Sequence, residues 1–341
     1  MTNLKKKCNN IIFSNRHWKF TKTLGVLGFA SLFCVFGLIY RYSRLMLKQD
    51  FDDGVTQMAP GIRRYIDQIS SIQDNSQDKV QTKNSRVLCL ILTSYITFRS
   101  RVPAVNATWA RRCDKQFYVL KTEKKAPDII NSPFEETRNN IVHKIKFALS
   151  YIYENHIDDF DWLIKADDDT YVIMENLKFL VQNLDGQKPA YLGFHFDKFV
   201  QNGYMSGGAG YVISNRALRN LVQLGFYPEK CPVIPNKEDP ENSEDIEIGR
   251  CLNKTGVPVI NSLDEEGKER FHPYPTQKHL FGSIPRFVFE WAKNPHNEGM
   301  ACCSKYSISF HYMDPASMLL VDHLLYRTSV AGLDRVNSKI T

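Results

Sequence analysis

The sequence WLIKADDDTYV, residues 162–172, ends a short apolar run with three adjacent carboxylates. The apolar run, residues 162–164, predicts a buried strand that extends over residues 162–166. Adjacent acids repel one another and are costly to desolvate unless a positive group neutralises them. Carboxylate oxygens suit Mg²⁺ or Mn²⁺, and open α/β sheets bind ligands where their strands end. The stretch therefore predicts a divalent-cation site, with a solvated acidic turn as the alternative on these residues alone.

Strand and helix patterns alternate on both sides of this stretch. Continuous apolar runs predict strands at residues 86–93 and 116–120. Helices are predicted at residues 102–112, 135–155 and 175–184, the second of them from apolar residues that recur every three or four positions. Because this alternation has the spacing of βαβ units, we expect a twisted α/β sandwich around a mostly parallel sheet.

Two later segments and one histidine supply candidate site residues. Residues 203–214, GYMSGGAGYVIS, match neither a P-loop nor a dinucleotide-binding fingerprint. They form either a glycine-rich turn between strands or the wall of a substrate pocket. Ser243 predicts a helix N-cap, so that Glu244 and Asp245 lie in the first turn and either complement the helix dipole or supply a catalytic base. His311, between two aromatic residues, is either a packed core residue or a ligand.

The positive charge of the chain is concentrated near its N-terminus. The net charge is +7, and residues 1–48 hold nine Lys or Arg and no Asp or Glu. Subtracting those nine leaves a net charge of −2 for residues 49–341. The main body is therefore close to neutral, and we expect no nucleic acid partner.

An uncharged, largely apolar segment at residues 24–40 predicts a single membrane-spanning anchor. A cleaved signal peptide is the alternative, but the segment is long for one and leads into a basic flank. The positive-inside rule then places residues 1–23 in the cytosol and the body in the lumen. Residues 41–85 are predicted to form a stem with a short amphipathic helix at 62–72.

Six of the eight cysteines lie in the predicted lumenal body: Cys89, Cys113, Cys231, Cys251, Cys302 and Cys303. An even number in a lumenal domain predicts disulfides, and six cysteines allow 15 pairings. We exclude a bridge between adjacent Cys302 and Cys303 as strained, and disfavour zinc because no CxxC pair is present. The sequons at Asn106 and Asn253 fit lumenal placement.

Seven motifs, in chain order, resemble the core 1 β1,3-galactosyltransferase branch of the β1,3-glycosyltransferases. They are NATWARRC (106–113), WLIKADDDTYVIMENL (162–177), GYMSGGAGYVIS (203–214), EDIEIGRC (244–251), FHPY (271–274), CCS (302–304) and SFHY (309–312). The resemblance covers about residues 86–314. It implies a GT-A fold, a single α/β domain that binds a UDP-sugar and Mn²⁺, in a Golgi protein of single-pass type II topology. We assign residues 86–320 to this domain and residues 321–341 to a C-terminal tail.

The resemblance also implies roles for individual residues. The implied donor-binding residues are Asp167, Asp168, Arg138, Lys144, Gly207 and Gly208. The implied metal ligands are Asp167, Asp169 and His311, and the implied catalytic base is Asp245. Glu244, Trp291 and Tyr312 are expected on the acceptor side. The implied reaction transfers galactose from UDP-galactose to the 3-hydroxyl of GalNAc α-linked to Ser or Thr of a glycoprotein, with inversion. A homodimer is compatible with the resemblance.

Two departures from the family pattern keep other functions open. Glu290 and Lys293 stand where aromatic residues are usual, and Phe194-His195 replaces two basic residues. A relative that uses another UDP-sugar, such as UDP-glucuronic acid, or another acceptor therefore remains an alternative. A non-catalytic chaperone is disfavoured because the acidic triplet, Asp245 and His311 are all present. A carbohydrate-binding module would need neither a base nor a metal site.

Overall fold

A computed structural model describes residues 60–71, 85–232 and 243–331 of the chain. The predicted cytosolic tail, the anchor at residues 24–40 and most of the stem lie outside the described residues, as do residues 332–341. Within the described ranges, no helix has the length and apolar character needed to cross a membrane.

The described part of the chain alternates strands and helices. The strands are β1 (Val87–Leu92), β2 (Lys115–Leu120), β3 (Ile129–Asn131), β4 (Trp162–Asp167), β5 (Tyr171–Val172), β6 (Tyr191–Gly193), β7 (His195–Phe196), β8 (Tyr204–Met205), β9 (Tyr211–Ser214), β10 (Phe271–His272) and β11 (Ser309–Phe310). The α-helices are α1 (Pro60–Ser71), α2 (Phe98–Ala107), α3 (Ile141–His156), α4 (Met174–Val181), α5 (Asn215–Asn220), α6 (Glu244–Lys254), α7 (Thr276–Phe281), α8 (Arg286–Trp291) and α9 (Pro315–Tyr326).

The central sheet has six strands in the order β3-β2-β1-β4-β9-β6. The first four strands are parallel, and β9 and β6 continue the sheet in antiparallel pairs. The mostly parallel sheet is thus confirmed. Alternate residues of β1 enter two separate hydrophobic cores: Val87, Cys89 and Ile91 in one, and Leu88 and Leu90 in the other. Both faces of the strand are buried, which is why its sequence is continuously apolar.

The three helices predicted in the main body begin or end away from their predicted limits, and the third, α4, ends at Val181 rather than at residue 184. Helix α2 ends at Ala107 because Thr108 leaves helical geometry, with ψ −102°, and Ala110–Arg112 forms a separate 3₁₀ turn. Helix α3 begins at Ile141, after a 3₁₀ turn, because Thr137 is extended at φ −123° and ψ 155°. Helix α1 matches the amphipathic helix predicted in the stem.

A small second sheet brings distant motifs together. Strand β11 pairs with β10 on one side and with β5 on the other. Phe310 is the register partner of Tyr171, two residues after the acidic triplet. His311, the next residue, is therefore delivered to the end of β4. This pairing joins the C-terminal motif to the strand that carries the acids.

The described part of the chain contains three disulfides: Cys89–Cys113, Cys231–Cys251 and Cys302–Cys303. The exclusion of a Cys302–Cys303 bridge was wrong. Cys303 has a positive φ of 47°, and this left-handed backbone turn lets two neighbouring side chains meet. The other two bridges each close a loop of the main body.

Candidate active site

The three carboxylates of the acidic triplet have different partners. Asp168 is almost fully buried. It accepts hydrogen bonds from Thr93 Oγ1 (2.7 Å), Thr97 Oγ1 (2.5 Å) and Arg101 (2.9 Å). Arg101 also lies 3.0 Å from Asp169 Oδ2. The triplet is therefore not a solvated acidic turn, and Asp168 is held by protein groups.

Asp167, Asp169 and His311 form a cluster that suits a metal ion. Their potential ligand atoms all lie within 4.8 Å of one another. His311 Nε2 is 3.1 Å from Asp169 Oδ1 and 3.8 Å from Asp167 Oδ2. Two carboxylates with one imidazole are a donor set that Mn²⁺ accepts. The structure thus brings together the three residues that the sequence nominated as ligands.

Lys165 links the acidic triplet to Glu244, the neighbour of the predicted base Asp245, and the sequence did not predict this role. Its buried ammonium donates to Asp167 Oδ1 (2.7 Å) and Glu244 Oε1 (2.5 Å). Burial alone lowers the pKa of Lys165, but the two acids outweigh burial and hold its pKa above the usual value. A lysine inside an apolar strand was the available signal, because a buried lysine needs paired acids. Arg101 was missed as well, and no local pattern marks it.

The glycine-rich segment is both a turn between β8 and β9 and a wall of the cleft. A Cβ atom built on Gly208 would lie 2.1 Å from Cε1 of His311. One built on Gly207 would lie 2.6 Å from Oε1 of Glu244. These two glycines therefore let the imidazole and the carboxylate pack directly on the backbone.

Asp245 lies in the first turn of α6, as predicted, and its carboxylate is held in a fixed orientation. The backbone N–H of Gly207 donates to Asp245 Oδ2 (2.9 Å), and the N–H of Ile246 donates to Oδ1 (2.9 Å). Burial raises the pKa of Asp245. Ser243 is the N-cap residue, although its side chain makes no capping hydrogen bond.

Glu244 is committed to other protein groups. Besides Lys165, the hydroxyl of Tyr211 donates to its Oε2 at 3.3 Å, and its side chain is buried. Glu244 is therefore ion-paired. Among the described residues, no Lys, Arg or His forms an ion pair with the neighbouring Asp245.

Two adjoining clefts surround these groups. The first, of about 350 Å³, holds Asp245 and the aromatic side chains Trp291, Phe287 and Tyr274. The second, of about 420 Å³, holds Lys144, Asp168 and Asp169. The two clefts share five of their lining residues: Arg138, Ile141, Asp167, His311 and Tyr312. Two members of the cluster of potential metal ligands, Asp167 and His311, therefore lie where the two clefts meet.

The remaining nominated residues lie at these clefts. Lys144 donates to Glu136 (2.6 Å) and to the Thr93 carbonyl (2.5 Å). Tyr312 stacks on His311 with ring centroids 3.8 Å apart. The Trp291 ring packs against Phe287 at 4.8 Å.

The residues that depart from the family pattern are not among the cleft-lining side chains of the described chain. Glu290 pairs with Arg286 at 2.8 Å, and Lys293 pairs with Asp197 at 2.6 Å. Phe194 is fully buried in the core. His195 Nε2 lies 3.0 Å from the Asn202 carbonyl.

Comparison with known proteins identifies the family. A family model described as Fringe-like matches residues 82–272. Glycoprotein-N-acetylgalactosamine 3-beta-galactosyltransferase 1 of Xenopus laevis is 34% identical over 264 residues, covering 76% of this chain and 71% of the relative. A beta-1,3-glucosyltransferase of Mus musculus is 26% identical over 187 residues, covering 54% of this chain and 36% of that protein.

A distant likeness to a solved structure is also found. The galactosyltransferase LgtC in complex with donor and acceptor sugar analogues is 14% identical, with a TM-score of 0.37, covering 67% of this chain and 88% of LgtC. The family model spans more than half of the chain, and the Xenopus relative is matched over most of both chains. The chain therefore belongs to the Fringe-like family, in its core 1 β1,3-galactosyltransferase branch, and is a glycosyltransferase.

Proposed function

We propose that this glycosyltransferase moves galactose from UDP-galactose to the 3-hydroxyl of GalNAc α-linked to Ser or Thr of a glycoprotein, with inversion. One observation carries the proposal. The oriented carboxylate of Asp245 shares a cleft with Asp167 and His311, two members of the potential metal cluster. A single displacement needs a base for the attacking hydroxyl and, in the same cleft, a site that binds the leaving diphosphate. The 34% identical relative is named for this donor sugar and acceptor.

The metal requirement rests on the donor set described above. Asp167, Asp169 and His311 would hold Mn²⁺, because their carboxylate and imidazole groups lie close enough to share one ion. When bound, the ion supplies Lewis-acid stabilisation of the charge on the departing diphosphate. Arg138, which lines both clefts, adds a positive charge on the donor side.

Asp245 is proposed as the base that takes the proton of the attacking hydroxyl. A sugar hydroxyl is a weak nucleophile, and a positioned base contributes roughly 10²–10⁴-fold to such a reaction. The Gly207 N–H fixes Oδ2, and burial raises the pKa of Asp245, which strengthens it as a base. Glu244 is the rival, but its ion pair with Lys165 occupies Oε1.

The acceptor is proposed to bind on the aromatic side of the first cleft. Trp291, Phe287 and Tyr274 line it together with Tyr312. Aromatic faces with a few placed polar groups are typical of small-ligand sites. Glu244, which also lines this cleft, is proposed to support the acceptor side through its contact with Lys165.

The cellular setting is part of the proposal. We propose that residues 24–40 anchor the chain in the Golgi membrane in type II orientation, with the transferase domain in the lumen. The basic residues that precede the apolar segment support this orientation. The disulfides of the main body fit an oxidising compartment.

A donor screen tests the reaction. The detergent-solubilised full chain, with Mn²⁺ and a GalNAc-α-peptide, is offered UDP-galactose, UDP-glucose, UDP-glucuronic acid and UDP-N-acetylglucosamine in parallel. We expect transfer from UDP-galactose alone, with a β1,3 linkage by NMR. Preferred transfer from another donor would show that the donor assignment is wrong. No transfer to the GalNAc-peptide, with transfer to another sugar, would show that the acceptor assignment is wrong.

A further inference from the structure

A second cluster of potential metal ligands begins at His272, next in sequence to Pro273 and Tyr274, which line the first cleft. It consists of His272 on β10, His279 on α7, and the adjacent Cys302 and Cys303. One ligand atom from each lies within 4.8 Å of the others, and three of the four side chains are buried. The proposed transfer reaction uses none of them.

The hydrogen bonds of His272 leave one ring nitrogen free to act as a ligand. Its Nε2 lies 3.0 Å from Ser307 Oγ, and that hydroxyl donates its one proton to the Ser304 carbonyl at 2.6 Å. Ser307 Oγ must therefore accept from the Nε2–H of His272. The lone pair is then on Nδ1, which lies 3.9 Å from Cys303 Sγ. A second hydrogen bond that fixes the tautomer in this way is characteristic of metal-binding histidines.

His279 is fully buried and short of polar partners. Neither ring nitrogen makes a well-aligned hydrogen bond among the described residues. The Tyr274 backbone approaches the ring, so at most one nitrogen has an acceptor there. The ring packs against His272 with centroids 4.9 Å apart. A bridged Cys302–Cys303 pair offers neither histidine a proton donor, and both ring nitrogens of His279 lack a hydrogen-bond partner among the described residues.

We propose that these four side chains bind one zinc ion when Cys302 and Cys303 are reduced. Two thiolates and two imidazoles are a common structural zinc set. Tetrahedral zinc, with bonds of about 2.3 Å to sulfur and about 2.0 Å to nitrogen, holds its ligands roughly 3.3–3.8 Å apart. The potential ligand atoms lie within 4.8 Å of one another, so they need to approach by about 1.5 Å at most, while the two sulfur atoms separate when the bridge is reduced. This inference is independent of the proposed function.

The disulfide and the zinc ion are alternative states of the same site. A dithiol reductant supplies two electrons and two protons to the Cys302–Cys303 bridge and itself becomes a disulfide. Zinc binding to the resulting thiols then releases two protons. The site adjoins His311, whose N–H donates to the His272 carbonyl at 3.1 Å.

Zinc content after reduction tests the inference. The detergent-solubilised full chain is treated with dithiothreitol and zinc, desalted, and its zinc is measured by mass spectrometry beside an unreduced sample. We expect one further zinc ion per chain after reduction. The Cys302→Ser/Cys303→Ser double variant and His279→Gln should lose that ion. Asp169→Asn is the matched control, because it alters the other metal cluster and should keep the further ion.

Spectroscopy of the parent chain provides a readout that does not depend on the variants folding. Cobalt added to the reduced chain should give a sulfur-to-cobalt charge-transfer band, and zinc-edge X-ray absorption should show two sulfur and two nitrogen neighbours. The inference is overturned if the reduced chain binds no more zinc than the unreduced one. It is also overturned if X-ray absorption finds oxygen and nitrogen but no sulfur around the zinc.

Discussion

Replacing Gly208 with alanine should disable the metal cluster although it replaces none of the three proposed metal ligands. The added Cβ would lie 2.1 Å from Cε1 and 2.2 Å from Nδ1 of His311. An ordinary carbon–carbon contact is about 3.5 Å, so the imidazole must move by roughly 1.4 Å. Such a shift takes Nε2 out of its 3.1 Å approach to Asp169 Oδ1. Misplacement by about 1 Å can cost on the order of 10²-fold in turnover.

Initial rates against Mn²⁺ concentration measure this effect. For Gly208→Ala we expect half-maximal activity at a higher Mn²⁺ concentration and a turnover at least about 10²-fold lower than the parent's. Gly267→Ala is the control, because Gly267 also has a positive φ (76°) but no atom within 4 Å of the added Cβ. It should lose stability by roughly 1 kcal/mol and keep the parent's Mn²⁺ dependence. A Gly208→Ala chain with the parent's turnover and Mn²⁺ dependence would refute the placement of His311 at the metal.

Further predictions concern the base, the metal and the anchor. Asp245→Asn should bind UDP and Mn²⁺ like the parent yet lose at least about 10²-fold in turnover; near-normal turnover beside an inactive Glu244→Gln chain would make Glu244 the base. Burial raises the pKa of Asp245, so the base becomes protonated, and turnover falls, at a higher pH than for an ordinary aspartate. The pH profile of Asp245→Asn should lack this acidic fall. Chelation should abolish activity and Mn²⁺ restore it, while Asp169→Ala and His311→Ala should each weaken the Mn²⁺ dependence of UDP binding; unchanged calorimetric titrations in both would exclude them as ligands. A chain beginning near residue 50, fused to a cleavable signal peptide, should be secreted in soluble form. In sealed microsomes the full chain's body should resist protease, and its digestion without detergent would contradict the lumenal topology.

The central strands could be predicted because both of their faces are buried. Strand β4 begins at Trp162, as the apolar run indicates, and β1 lies within the predicted residues 86–93. Helix limits were less accurate, since they depend on single backbone conformations such as the extended Thr137. The Cys302–Cys303 bridge was missed because the exclusion assumed ordinary backbone geometry, whereas Cys303 has a positive φ.

The site shows which part of an electrostatic network sequence can reveal. Side chains two residues apart on a strand share a face, so the position of Lys165 beside Asp167 was available from the sequence alone. Its second partner was not, because Glu244 is 79 residues away and reaches Lys165 only through the fold. The same holds for Arg101, which meets Asp168 across 67 residues. Three adjacent acids therefore predict that positively charged groups lie around them. Which side chains provide those charges depends on tertiary packing. Lys165 forms an ion pair with Glu244. The carboxylate of the neighbouring Asp245 accepts hydrogen bonds from the backbone N–H groups of Gly207 and Ile246. This difference between the two acids favours Asp245 as the base.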